Sequence, residues 1–303
     1  MNIIKVHPQG FCKGVINAIL KTNEAITNAK RPIYMLGDIV HNKNIAKTYI
    51  DNGIIIINSL DEIKSKEGSI IITAHGISQY KYNLISSTGL DIIDTTCESV
   101  KQIQSLIRQK IIEGYSVVYY GKKNHAECLG ISEDYQNEGK FIVVEGEDDI
   151  EKLNISNPKL FFTNQTTMSY FETLKIIDKL KQKYPNIITK EDICNATKNR
   201  QLALIEQAKD ADLIVVVGDK TSNNSLSLVD ISKTIINKPC VLIENINDIK
   251  EALKEINKQR YENIAITSGA STPRVIVNNI EKALLDENHI IDIKKDEYIK
   301  IKR

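Results

Sequence analysis

Residues 194–218 read CNATKNRQLALIEQAKDADLIVVVG: a cysteine, a stretch with helical spacing, then a short run of branched apolar residues closed by a glycine. The same order occurs twice more. Cys97 is followed by Val100, Ile103, Ile107 and Ile111, then by SVVYYG ending at Gly121; Cys12 is followed by Val15, Ile16, Ile19 and Leu20, then by IYMLG ending at Gly37. From cysteine to glycine the spacings are 25, 24 and 24 residues. Beyond each glycine stands a second apolar run, GIIIINSLDEI, KFIVVEGEDDI or CVLIENINDI. A third follows, as IIITAHG around Thr73, LFFTNQTTMS around Thr163 and IAITSGASTP around Thr267, at 36, 42 and 49 residues from the glycine.

Short continuous runs of isoleucine and valine are strands covered on both faces, and helical stretches between them make crossovers between parallel strands. The sequence therefore predicts an α/β protein of three similar units at residues 1–95, 96–193 and 194–283. In the third unit the spacing predicts a helix with Leu202, Ile205 and Ala208 on one side. A tail, 284–303, carries the strand-like HIIDI and is expected to pack back over another unit. A repeat sends related residues out of the related ends of related strands, and in open α/β sheets those carboxyl ends bind ligands.

The bulk properties limit the function. In 303 residues, 42% are hydrophobic and 26% charged, with 40 Lys and Arg against 39 Asp and Glu. This is the composition of a globular protein with a real core, and no broad basic field advertises nucleic acid. No apolar run reaches bilayer length and the N-terminus lacks a signal-peptide pattern, so a cytoplasmic protein with no membrane partner is expected. The five cysteines there are thiols or ligands rather than disulfides.

A buried cysteine is usually a small hydrophobe, which is the reading for Cys128 and Cys240. Cys12, Cys97 and Cys194 share the repeated position, which packing does not require; either a common metal site or descent from a duplicated ancestor accounts for it. Three thiolates select zinc or an iron–sulfur cluster. Zinc generally takes a fourth protein ligand, whereas a cubane with three cysteine ligands keeps one iron open for substrate. The residue pattern leaves three functions to weigh: a reductase, a zinc-dependent hydrolase and a non-catalytic iron–sulfur redox sensor.

Eight motifs in order decide among them: GFCKGV at 10–15, GDIVHNK at 37–43, AHGIS at 74–78, DTTC at 94–97, NHAE at 124–127, NQTTMS at 164–169, ICNATKNRQ at 193–201 and SGASTP at 268–273. Along nearly its whole length the chain resembles the 4-hydroxy-3-methylbut-2-enyl diphosphate reductase (LytB) family of the methylerythritol phosphate route to isoprenoids. The resemblance implies three α/β lobes with mostly parallel sheets, in pseudo-threefold arrangement around one 4Fe-4S cluster held by Cys12, Cys97 and Cys194. It implies reductive removal of the allylic hydroxyl of (E)-4-hydroxy-3-methylbut-2-enyl diphosphate, with electrons from reduced ferredoxin or flavodoxin. A monomer is the simplest expectation.

The resemblance also assigns roles. His41, His75 and His125 each follow a strand-like run, where a histidine alone is most often a hydrogen-bonded turn residue; by family position they become substrate contacts. Glu127, two residues after His125, is the carboxylate expected to relay the proton, and Thr166 the hydroxyl beside it. Ser222, Asn223, Asn224 and Ser271, from the turns GDKTSNNS and GASTP, are expected to bind the diphosphate, although such turns are also ordinary helix caps. Two departures stand out. Asn223 replaces a serine of the common Ser-Ser-Asn, and NHAEC replaces the common GHPEV, so Asn124 and Ala126 stand for glycine and proline and the approach to Glu127 is less rigid.

Overall fold

The computed structural model describes residues 1–135, 139–259, 261–286 and 293–301. Its strands are β1 (Asn2–Lys5), β2 (Ile33–Leu36), β3 (Ile54–Ile57), β4 (Ser69–Ile72), β5 (Asp91–Asp94), β6 (Ser116–Tyr120), β7 (Phe141–Val144), β8 (Leu160–Asn164), β9 (Ile188–Thr189), β10 (Leu213–Val217), β11 (Cys240–Ile243) and β12 (Asn263–Ser268). Its helices are α1 (Lys13–Asn28), α2 (Lys43–Asp51), α3 (Gln79–Ser86), α4 (Glu98–Ile112), α5 (Ala126–Ser132), α6 (Glu147–Lys152), α7 (Tyr170–Lys183), α8 (Asn195–Gln207), α9 (Asn223–Thr234), α10 (Ile246–Gln259) and α11 (Arg274–Leu285).

Three four-stranded sheets make three α/β lobes, ordered β3-β2-β4-β5, β7-β6-β8-β9 and β11-β10-β12-β1. Each places its first strand second in the row, between its second and third, so one winding rule built all three. The paired strands run parallel, for instance Val117↔Phe161 and Val216↔Thr267. The third sheet differs in one strand: its outer member is β1, from the other end of the chain, with Ile4 opposite Ala265. By contacts the chain divides into two compact units, residues 1–26, 38–54 and 195–303, and residues 27–37 and 55–194.

Central strands are buried along their whole length because helices cover both faces. In β6 and β8 alternate residues go to opposite layers: Val118, Tyr120 and Phe162 meet Ile176 and Leu180 of α7, while Val117, Tyr119 and Phe161 meet Ile103 and Ile107 of α4 and Ile131 of α5. Cys128 lies in that second layer, the small-hydrophobe role expected of it. In the other unit Val215, Val217 and Ile266 pack beneath Val277 and Ile280 of α11.

Of the three residues that apolar spacing put on one side after Cys194, Ala208 is buried and Ile205 partly buried, but Leu202 faces out and a polar face is buried beside them. Leu202 is 42% exposed, while Thr197, Arg200, Gln201, Ala203 and Leu204 are buried. The buried face carries polar groups because it lies against loop backbone, and Arg200 donates to the carbonyls of Gly10 and Ala196. In the tail, HIIDI lies outside the described residues except for Ile293. Further on, Thr48 of α2 donates to the Lys295 carbonyl and Asn23 of α1 to that of Ile299. Among the described residues no helix is long and apolar enough to cross a membrane.

Candidate active site

In the unit containing β10 and β12, the turns after the two strands meet. Ser222 caps α9, its hydroxyl accepting the Ser225 N–H. Asn224 is 4% exposed and joins three segments: its Oδ1 accepts the Ala270 N–H at 3.0 Å and its Nδ2 donates to the Thr197 hydroxyl at 2.9 Å. Ser271 Oγ donates to the His41 carbonyl at 3.0 Å, and Asn42 Nδ2 donates to the Ser271 carbonyl at 3.1 Å. Three expected diphosphate residues, Ser222, Asn224 and Ser271, are thus brought together and buried, with the His41 backbone among them; Asn223 is half-buried on the first turn of α9. Nearby, burial pushes the Asp219 carboxyl up, but hydrogen bonds from the Thr221 hydroxyl and N–H and from the Lys43 N–H outweigh that and hold it below its ordinary range.

In the other unit β6 and β8 deliver a second polar group. Glu127, 4% exposed, sits in the first turn of α5. Its Oε2 accepts the Thr166 N–H at 3.1 Å, and the Thr166 hydroxyl lies 2.9 Å from both carboxylate oxygens. His125 caps the same helix, its Nδ1 accepting the Glu127 N–H at 3.2 Å. That bond leaves the proton of the neutral ring on Nε2. Burial lowers the His125 pKa to about 4, so the ring is neutral at pH 7. The His75 ring stands edge-on to it with centroids 5.5 Å apart.

Such chemistry, a buried carboxylate with a hydroxyl partner beside a neutral imidazole and a separate knot of hydroxyl and amide groups, fits proton delivery and anion binding. Residues 3–285 match the family described as LytB protein. The chain belongs to the LytB family. It is 41% identical over 300 residues to the 4-hydroxy-3-methylbut-2-enyl diphosphate reductase of Lysinibacillus sphaericus, covering 95% of this chain and 90% of that protein. To the same enzyme of Bacillus pumilus it is 40% identical over 294 residues. The solved structure of the (E)-1-hydroxy-2-methyl-but-2-enyl-4-diphosphate reductase from Plasmodium falciparum superposes with a TM-score of 0.87 at 34% identity, covering 95% of this chain and 89% of that one. This LytB protein is therefore an enzyme of the methylerythritol phosphate pathway family.

One expectation is corrected. Sequence reading put one 4Fe-4S cluster on Cys12, Cys97 and Cys194; among the described residues, the side chains whose donor atoms come close enough to share a metal ion are instead His41, His75 and His125. Imidazoles suit a single borderline metal ion, whereas a cubane takes thiolates, so the donor set does not fit the cluster. The cysteines repeat for a local reason: each begins a helix. Cys12 precedes α1 and its Sγ accepts the Val15 N–H, Cys97 is the cap of α4, and Cys194 precedes α8 with its N–H on the Thr166 carbonyl. The repeated helix start is the mark a duplicated ancestor leaves.

Two buried polar residues of this LytB chain escaped sequence reading. Arg200 stands inside the motif ICNATKNRQ, and Gln104 lies among the apolar positions of α4. A polar residue at a core position of an amphipathic helix is the signal that points to both.

Proposed function

We propose that this protein removes the allylic hydroxyl from (E)-4-hydroxy-3-methylbut-2-enyl diphosphate, giving isopentenyl and dimethylallyl diphosphates. The C–O bond is replaced by C–H, the oxygen leaves as water, and the balance is two electrons and two protons. Reduced ferredoxin or flavodoxin is the proposed donor, one electron at a time, to a monomeric cytoplasmic enzyme. The observation that carries the reading is the Glu127–Thr166 pair, a carboxylate kept from water whose partner hydroxyl can both donate and accept.

In this reading Glu127 supplies the proton that lets the hydroxyl leave, since an expelled hydroxide needs a general acid beside it. Thr166 holds the carboxyl in one orientation. His125, fixed by the Glu127 N–H, presents Nε2–H to a substrate oxygen, and the His75 ring stands beside it. The diphosphate is assigned to His41, Ser222, Asn223, Asn224 and Ser271, where hydroxyls and amides receive charge without a lysine cluster. The test is product formation: anaerobically purified protein, given a strong one-electron reductant and the hydroxylated diphosphate, yields both isomeric diphosphates. Recovery of unreacted substrate alone would sink the proposal.

A further inference from the structure

We infer that Gln104 is a positioning residue that fixes the His75 loop against the helix carrying Glu127; its kinetic part rests on the reductase reading above. Gln104 lies on α4, 6% exposed, at a place where its helix otherwise packs aliphatic side chains. Its Nε2 donates to the carbonyl of Ile77, two residues beyond His75, at 3.4 Å, and to the carbonyl of Gly130 in α5 at 3.3 Å. Two N–H groups meet two carbonyls, which sets the orientation of the amide.

The glycines at both contacts are shaped to the same amide. A Cβ on Gly130 would stand 3.1 Å from Nε2, and one on Gly76 3.0 Å from it. Gly76 also needs its left-handed φ of +71°. Further ties join the same two segments at their rims: Ser78 Oγ donates to Glu133, and the N–H groups of Gln79 and Tyr80 donate to Asp134. Those carboxylates lie outside the core, so Gln104 is the buried pivot. What it holds constant is the approach of the His75 and His125 rings, and with His125 the turn that carries Glu127.

Gln104→Leu keeps the bulk of the side chain and donates no hydrogen bond. With the hydroxylated diphosphate as substrate, kcat falls roughly 100-fold, the cost of a misplaced reacting group, while KM holds. An unchanged kcat, or a rise in KM with kcat intact, overturns the inference. Gly130→Ala crowds the amide and slows the enzyme, but adds no further loss to Gln104→Ala, where that space is empty; simple multiplication of the two losses overturns it. A readout independent of turnover is a nuclear Overhauser contact between the His75 and His125 rings, present in the wild type and lost in Gln104→Leu. If it persists, Gln104 positions nothing; if it is lost while the wild type makes no product, the reductase reading alone has failed.

Discussion

The two polar groups stand at the same kind of place, the carboxyl ends of parallel strands, yet the chain closes them over very different lengths. In the group around Glu127 the partners are 39 residues apart for Thr166, and 26 and 27 for the contacts of Gln104. In the group around Asn224 and Ser271 the contacts of Asn224 itself span 27 and 46 residues, but others span 190 for Arg200 and Gly10, 229 for Asn42 and Ser271, and 258 for Gly10 and Ser268. Closing a loop some eight times longer costs about 2 kcal/mol more chain entropy. The Glu127 group is therefore locally determined, whereas the group around Asn224 and Ser271 also depends on β1 reaching β12 and on side chains that bridge distant segments.

The largest effect should come from chemistry that leaves both groups folded. Glu127→Gln keeps the size and one acceptor for Thr166 but loses the transferable proton, so turnover falls about 1,000-fold with an unchanged melting temperature. Turnover at saturating substrate, with a thermal melt beside it, checks this. A variant as fast as the wild type would show that the carboxylate is not the proton donor.

Next is a pH effect confined to the locally closed group. Burial holds His125 neutral, with a pKa of about 4 against about 6.5 for an ordinary imidazole. Between those values the unfolded chain binds a proton that the folded chain refuses. The contribution of neutral His125 is therefore fully present above pH 6.5 and is lost as pH falls towards 4, by on the order of 3 kcal/mol. His125→Asn keeps a capping acceptor for the Glu127 N–H but does not titrate. Urea midpoints measured from pH 7 to pH 4 should fall less in this variant; identical slopes would show that the ring is not held neutral.

Arg200 tests the distantly closed group. Its guanidinium is 3% exposed and donates to the Gly10 carbonyl at 2.6 Å. Arg200→Met should cost roughly 2 kcal/mol in urea unfolding, the scale of a hydrogen bond from a charged donor. A neutral outcome would mean that the Gly10 turn stands without it.

The same contrast explains what was legible in the sequence. LIVVV, SVVYY and LFFTN became the fully buried strands β10, β6 and β8, because continuous branched runs fit only a strand covered on both faces. The outer strands β5, reading DIID, and β9, only Ile188–Thr189, carry too little apolar signal to be seen. The place of β1 beside β12 is likewise invisible, since four residues do not encode a partner 261 positions away. Periodicity places Ala208 inward but misses the rest of the buried face after Cys194, because the apolar Leu202 points outward while Arg200 and Gln201 point in. At the site, motif resemblance singled out Asn224 and Ser271, which the fold brings together. The cysteine repeat alone leaves a metal site and a duplicated ancestor open, the resemblance implies the cluster, and the structure shows three helix starts.

The smallest effect separates the two things Asn42 does. Its Oδ1 caps α2 by accepting the Asn44 and Ile45 N–H groups, and its Nδ2 ties α2 to the Ser271 carbonyl. Asn42→Ser keeps an acceptor of capping type and loses only the tie, so about 1 kcal/mol of stability should go. Asn42→Ala loses both functions and should cost about twice that. Because the tie holds the Ser271 turn, Asn42→Ser should also raise KM about fivefold, the equivalent of that 1 kcal/mol, with kcat little changed. Should Asn42→Ser match the wild type in both stability and KM, the long-range tie contributes nothing, and the Ser271 turn is set by Asn224 and its own local backbone.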